Sequence, residues 1–222
     1  MRRFDLAPGE YYHIYNKRIG TEPIFKSQRD YIRFLFLLLF FQSKYSIQNT
    51  RRQVDHYEKK GWFNVDETII SQILKDRMVE VVAFAIMPTH FHILLSEVVE
   101  GGTSRYMQKI QAGYAKYSQL KYGHSGHLFR GSYGAKRILD NNQLLYLSTY
   151  IHRNPRELKG WSGQEHKYYW SSCPDYLSVN RWGVLLKNNI VLEQFKSPKD
   201  YRVFLNSSIS KEKKYLSDML FD

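Results

Sequence analysis

Residues Val79 to Ser96 read VEVVAFAIMPTHFHILLS, and this stretch decides the architecture. Val79 to Ile86 is short, apolar and rich in β-branched residues, the pattern of a central strand. Met87-Pro88-Thr89 interrupts it, because proline has no N–H to give to a ladder. His90 to Ser96 resumes as a second strand, so the pair is expected to form a hairpin. Alternation along that strand gives His90 and His92 one face and sends Phe91 to the other. Two imidazoles on one face make half of a metal site. Two polar residues on a solvated strand face would produce the same pattern.

Working outward, Glu10 to Asn16 (EYYHIYN) reads as a first strand. Ser27-Gln28-Arg29-Asp30 predicts a helix start, with Ser27 as N-cap and a carboxylate three residues on. That helix should continue to about Gln42 and bury Tyr31, Phe34, Leu35, Leu38 and Leu39 on one side. Residues 44 to 77 are more polar and are expected to form an insertion with a short helix at Glu67 to Lys75. Downstream of Gly101-Gly102, Met107, Ile110, Tyr114 and Tyr117 are spaced for one face of a helix from about Thr103 to Lys121. A loop from Gly123 to Gly131 leads to a fourth strand at Tyr133 to Leu139. A further helix from about Asn142 to Asn154 is stopped by Pro155. The order strand, helix, strand, strand, helix, strand predicts an α+β fold of the ferredoxin-like βαββαβ type, with helices on one face of the sheet and another helix following. Residues 1–160 are expected to form the main domain and 161–222 a small helical C-terminal extension.

The chain has 222 residues, 43% of them hydrophobic and 16% aromatic, as in a packed globular protein. Its 33 Lys and Arg against 21 Asp and Glu give a formal charge of +12, which points to a polyanion: nucleic acid or an anionic membrane surface. The run Ile32 to Phe41 would span only about 15 Å as a helix, roughly half a bilayer core, and reads as a buried helix. Membrane is therefore demoted. Cys173 is the only cysteine, so neither an intrachain disulfide nor a cysteine-based zinc cage can form. Together with the absence of an apolar signal core behind Met1-Arg2-Arg3-Phe4-Asp5, this leads to the expectation of a cytoplasmic protein.

Other chemistry-bearing residues lie further along. Tyr150 and Asn154 are four apart and share a helix face, pairing a phenol with an amide able to ligate a cation. Tyr146 lies on the same face a turn earlier, and spacing alone does not separate it from Tyr150, in a chain with 18 tyrosines. Lys17, Arg18, Arg130, Lys136 and Arg137 form a basic set around the first and fourth strands. Interleaved with Phe129 and Tyr133, they suit a DNA-binding groove with stacking positions.

Tyr12-His13-Ile14, then Ala85-Ile86-Met87-Pro88-Thr89-His90-Phe91-His92-Ile93-Leu94-Leu95, Gly126-His127-Leu128-Phe129-Arg130-Gly131, Tyr150-Ile151-His152-Arg153-Asn154-Pro155 and Trp170-Ser171-Ser172 occur in that order. Together they resemble the REP-associated tyrosine transposases, a branch of the single-tyrosine HUH transposases, over roughly residues 8 to 178. The resemblance implies that residues 1–160 are a catalytic domain in which His90 and His92 bind a divalent ion, Mg²⁺ or Mn²⁺. Asn154 would be its third ligand and Tyr150 the nucleophile. The implied reaction is cleavage and rejoining of single-stranded, hairpin-forming repeat DNA through a 5′-phosphotyrosine, in the bacterial cytoplasm at the nucleoid. A monomer is expected in preference to a dimer that exchanges the tyrosine helix. Two departures stand out: Thr89 where Asn is usual, and the length of the 44–77 insertion.

No general base for Tyr150 is identified, since His152, two residues away on a helix, points to another side. Three other readings compete. A non-catalytic, domesticated protein that binds DNA or RNA hairpins could use the same fold. A zinc hydrolase would need a further strong ligand near the histidine pair, and no His-x-x-x-His or Cys supplies one. An RRM-type RNA-binding sheet would need aromatic RNP motifs that the chain lacks.

Overall fold

The computed structural model describes residues 6–20, 22–45, 47–123, 126–207 and 215–216. Four strands, β1 (Tyr11–Lys17), β2 (Val79–Ile86), β3 (His90–Glu97) and β4 (Gly134–Arg137), form one antiparallel sheet in the order β2-β3-β1-β4. Helices α1 (Gln28–Phe40) and α4 (Gly102–Tyr122) make the two crossovers, completing the expected ferredoxin-like βαββαβ fold. Between them, the 44–77 insertion contains α2 (Thr50–Lys60) and α3 (Glu67–Lys75), and α5 (Asn141–Arg153) follows β4. Among the described residues no helix is long and apolar enough to cross a membrane.

Strand alternation divides the core. Tyr12, Ile14, Phe84, Ile86, Phe91, Ile93 and Leu95 face α1 and α4, whereas Val82, Ala83, Ala85 and Leu94 face α5. A shift of register between Val81 and Ala83 accounts for the unbroken apolar run of β2. Val79 and Val81 before the bulge, and Phe84 and Ile86 after it, all face α1 and α4.

The entry of α1 follows its sequence signal: the Ser27 and Lys26 N–H groups donate to the Asp30 carboxylate at 2.9 and 2.8 Å. Lys121, Tyr117 and Tyr122 of α4 also donate to Asp30, tying the start of α1 to the end of α4. The burial of α1 differs from the expectation of a single apolar side. Ile32 and every residue from Phe34 to Phe40 are buried. The insertion covers the second side, with Phe63 packed edge-on against Phe36 and Phe40. Its helix α2 carries only Val54 and Tyr57 as buried residues, too sparse a stripe to announce the helix in the sequence.

Beyond residue 160 the chain returns to the sheet. Ser171 bridges Ala85, and Ile86 N–H donates to the Trp170 carbonyl at 2.9 Å, so the β2 edge is paired and protected. Short helices α6 (Cys173–Leu177) and α7 (Asn189–Leu192) lead to α8 (Pro198–Ser207), which braces α5 from outside. Tyr201 of α8 bonds Ser148 at 3.1 Å and His152 at 2.7 Å.

Candidate active site

The sheet register brings one row of side chains together. Tyr15 lies opposite His92, and Lys17 opposite His90. Gly134 lies opposite Tyr15, and Lys136 opposite His13. Partners in register share a face, so His13, Tyr15, Lys17, His90, His92 and Lys136 occupy the face that carries α5. Pro155 ends that helix at Arg153 and converts Asn154–Glu157 to a 3₁₀ turn, which directs both Asn154 and Glu157 toward His90.

His90 Nε2 and Asn154 Oδ1 approach to 3.3 Å, and Thr89 Oγ1 is 3.1 Å from His90 Nδ1. The Asn154 amide N–H donates to the Tyr150 carbonyl at 2.9 Å, which leaves its oxygen facing the histidine. Glu157 Oε2 lies 3.9 Å from His90 Nε2. His92 is buried, with Nδ1 2.8 Å from His13 Nε2. One of these imidazoles must donate and the other accept, so the contact fixes a complementary pair of tautomers. The half-buried Tyr150 presents its ring edge-on to His92 at 5.5 Å and to His13 at 6.0 Å between centroids.

Burial pushes the His92 pKa well down, and the charges of His13 and His90 would push it further in the same direction. Burial also lowers His90; Glu157 and the Asn154 hydrogen bond oppose the shift, and Lys17 adds to it. Both histidines are thus held neutral at neutral pH, the form that can ligate a metal.

The donor set fits a small divalent ion. His90 Nε2 and Asn154 Oδ1, 3.3 Å apart, stand close enough for one small divalent ion to reach both. Among the described residues no group of three His, Cys, Asp and Glu side chains could hold a metal by itself. Beside His90 the amide oxygen of Asn154 adds an oxygen donor to the imidazoles, a mixed nitrogen and oxygen set of the kind that suits Mg²⁺ or Mn²⁺.

The structure treats the remaining sequence candidates unequally. Tyr146 is buried, stacked on Tyr215 at 4.5 Å and tilted against Phe204 at 5.1 Å. His152 is buried between Tyr201 and Ser172 Oγ, and burial, with the Arg153 charge, lowers its pKa to about 3. Lys17 and Lys136 lie on the site's face, and exposed Arg130 is anchored by its N–H to the Lys17 carbonyl at 2.8 Å. Arg18 pairs with Glu22 at 3.2 Å. Arg137 pairs with Glu10 at 2.6 Å, and its register partner is Tyr12, which belongs to the opposite face. Phe129 and Tyr133, expected as stacking positions, are core residues. The loop folds back through the Arg130–Lys17 hydrogen bond and packs Phe129 against Phe91 at 5.9 Å.

Sequence reasoning gave His13 and Glu157 no role. The signal for His13 was its position on the same alternating face of β1 as Tyr15. Glu157 had only its distance of three residues from Asn154, informative once the turn is known to be 3₁₀.

The chain matches the family model described as Transposase IS200 like over residues 40–154, just over half its length and a span that includes His90, His92, Tyr150 and Asn154. Among solved structures it is similar to a REP-associated tyrosine transposase bound to a REP hairpin, with a TM-score of 0.52 and 15% identity. That match covers 86% of this chain and 92% of the other, and at this identity it bears on the fold alone. No curated protein matches the chain.

Proposed function

The chain belongs to the IS200-like transposase family, and on that premise we propose that it cuts and rejoins single-stranded, hairpin-forming DNA through a covalent bond to Tyr150. The observation that carries this reading is the meeting of two distant segments. His90 and His92 from the β-hairpin stand beside Tyr150 of α5 and Asn154 of the turn that follows it, with His90 Nε2 3.3 Å from Asn154 Oδ1.

In the proposed reaction the Tyr150 phenolic oxygen attacks the scissile phosphorus. A bond from phosphorus to the tyrosine oxygen forms, the bond to the 3′ oxygen breaks, and the phenolic proton ends on the released 3′-hydroxyl. One ester replaces another, so an incoming 3′-hydroxyl can reverse the exchange and reseal a strand without ATP. His90, His92 and Asn154 would hold Mg²⁺ or Mn²⁺, with Glu157 within reach of the same site. When bound, the ion would polarise the phosphate and offset its developing negative charge. His13 fixes the orientation of His92 through its ring nitrogen, as outer partners of ligating histidines commonly do. Asn154 is held by the Tyr150 carbonyl, so nucleophile and ligand move as one unit.

A hairpin as the DNA partner is supported by the hairpin bound to the similar solved transposase and by the +12 charge. The hydrogen bonds that fasten α5 to α8 of the same chain favour a monomer that keeps its tyrosine helix. Placement in the REP-associated branch, and use in the bacterial cytoplasm, extend the same reading. The test is a denaturing gel of a labelled single-stranded hairpin incubated with the protein and Mn²⁺. A band shifted by covalent protein is expected; binding without such a band would favour the non-catalytic hairpin-binding reading.

A further inference from the structure

The half of the catalytic face formed by β1 and β4 is built differently from the half under α5. The apolar residues of α5 rest on Val82, Ala83 and Ala85 of β2 and Leu94 of β3. Tyr15, Lys17, Gly134 and Lys136 on the other half all keep partial exposure. There the Tyr15 ring lies directly over Gly134: a Cβ at that glycine would stand 2.3 Å from Tyr15 Cζ and 2.4 Å from Cε2. Gly134 is not among the glycines with positive φ, so its missing side chain serves space rather than backbone freedom. The ring stands 5.0 Å from His13 and 6.3 Å from His92 between centroids, directly beside the reacting residues.

We propose that Tyr15, seated on Gly134 and flanked by Lys17 and Lys136, is the stacking platform for an unpaired nucleobase of the strand threaded into the active site. The proposal rests on the reading of the protein as a single-strand transesterase and adds a base-binding subsite to it. The chemistry is that of sequence-tolerant single-strand binding. An aromatic face takes a base, and lysines on the same sheet face take the phosphates on either side. Lys17 lies opposite His90 and Lys136 opposite His13 across the ladder, so the two cations bracket the ring along the sheet. Phe129 and Tyr133 lie in the core and Tyr11, on the same face of β1, packs against the apolar cluster under α5, which leaves Tyr15 as the ring placed for this task among the described residues of β1 and β4.

The test is fluorescence anisotropy with a short labelled oligothymidine in EDTA, on a common Tyr150→Phe background so that no cleavage intervenes. Tyr15→Ala is expected to weaken binding roughly tenfold, within the range of a lost base–aromatic stack. Tyr15→Phe should bind as the background does. Gly134→Val, which displaces the ring, should lose affinity as Tyr15→Ala does. Tyr15→Trp should bind, and its added indole emission should be quenched by the oligonucleotide; this signal does not depend on a folded Tyr15→Ala. Undiminished binding by Tyr15→Ala with a native thermal transition would overturn the proposal, as would Tyr15→Phe binding as weakly as Tyr15→Ala, or an unquenched Tyr15→Trp. The Mn²⁺ adduct assay on the otherwise native chain separates the two claims. An adduct with normal Tyr15→Ala binding sinks the platform alone; a Tyr15 effect without an adduct sinks the transesterase reading alone.

Discussion

Two neighbours on β3, Phe91 and His92, are both almost fully buried, yet they serve opposite faces of one sheet. Phe91 points into a dry layer with Phe34 at 5.0 Å and Phe129 at 5.9 Å. His92 points to the face where His13, Tyr15 and Tyr150 gather around it. The period of two along a strand thus separates the layer under α1 and α4 from the proposed site at single-residue resolution. The helix layer of α1 and α4 can be optimised for packing without disturbing the site, and the site can hold buried polar rings because the opposite face supplies the apolar burial.

This division is best broken by variants on each side of it. On the chemical face, His90→Ala should abolish Mn²⁺-dependent strand cleavage and weaken Mn²⁺ binding in a calorimetric titration, while urea unfolding shifts little. On the dry face, Phe91→Ala should cost about 3–5 kcal/mol in urea unfolding through the cavity it leaves. Any protein that remains folded should still form a covalent adduct. If His90→Ala lost as much stability as Phe91→Ala, the two faces would not be separate in function.

A smaller effect concerns Asp30. Burial alone would raise its pKa, but hydrogen bonds from Lys121, Tyr122, Tyr117 and the Lys26 N–H hold it below the usual carboxylate value. The native state therefore favours the ionised form. Its contribution is present in full above the unfolded pKa and is lost as pH falls through the lower folded value. Asp30→Asn should cost about 2 kcal/mol at neutral pH, and the gap from the native chain should close on acidification below about pH 4. Unfolding curves at both pH values check this; a gap that widens in acid would contradict the assignment. The smallest change is expected from Lys136→Ala. It should leave stability within about 0.5 kcal/mol and lower the salt dependence of single-strand binding by about one ion.

Much of this division was legible in the sequence. Alternation in HFHILL gave the histidines a common face, and helical spacing joined Tyr150 to Asn154. The break at Met87-Pro88-Thr89 separated the two hairpin strands. What escaped depended on long-range packing. Nothing local says that α1 is covered on both sides, because the covering helix α2 has only Val54 and Tyr57 to show. Phe129 and Tyr133 sit among basic residues and look like surface rings until the loop is folded back onto the sheet. The different surroundings of Tyr146 and Tyr150 depend on the C-terminal segment, since Tyr215 and Phe204 are what occupy the Tyr146 ring. His13 needed the sheet register to bring it within 2.8 Å of His92.

The central claim, that Tyr150 is the nucleophile beside a His90, His92 and Asn154 cation site, is tested most directly by locating the covalent bond. The protein is incubated with a single-stranded hairpin and Mn²⁺, digested, and the nucleotide-bearing peptide is sequenced by mass spectrometry. The expected result is a phosphodiester on Tyr150 that disappears in Tyr150→Phe while hairpin binding persists. A bond on Tyr146, or an adduct that survives Tyr150→Phe, would contradict it.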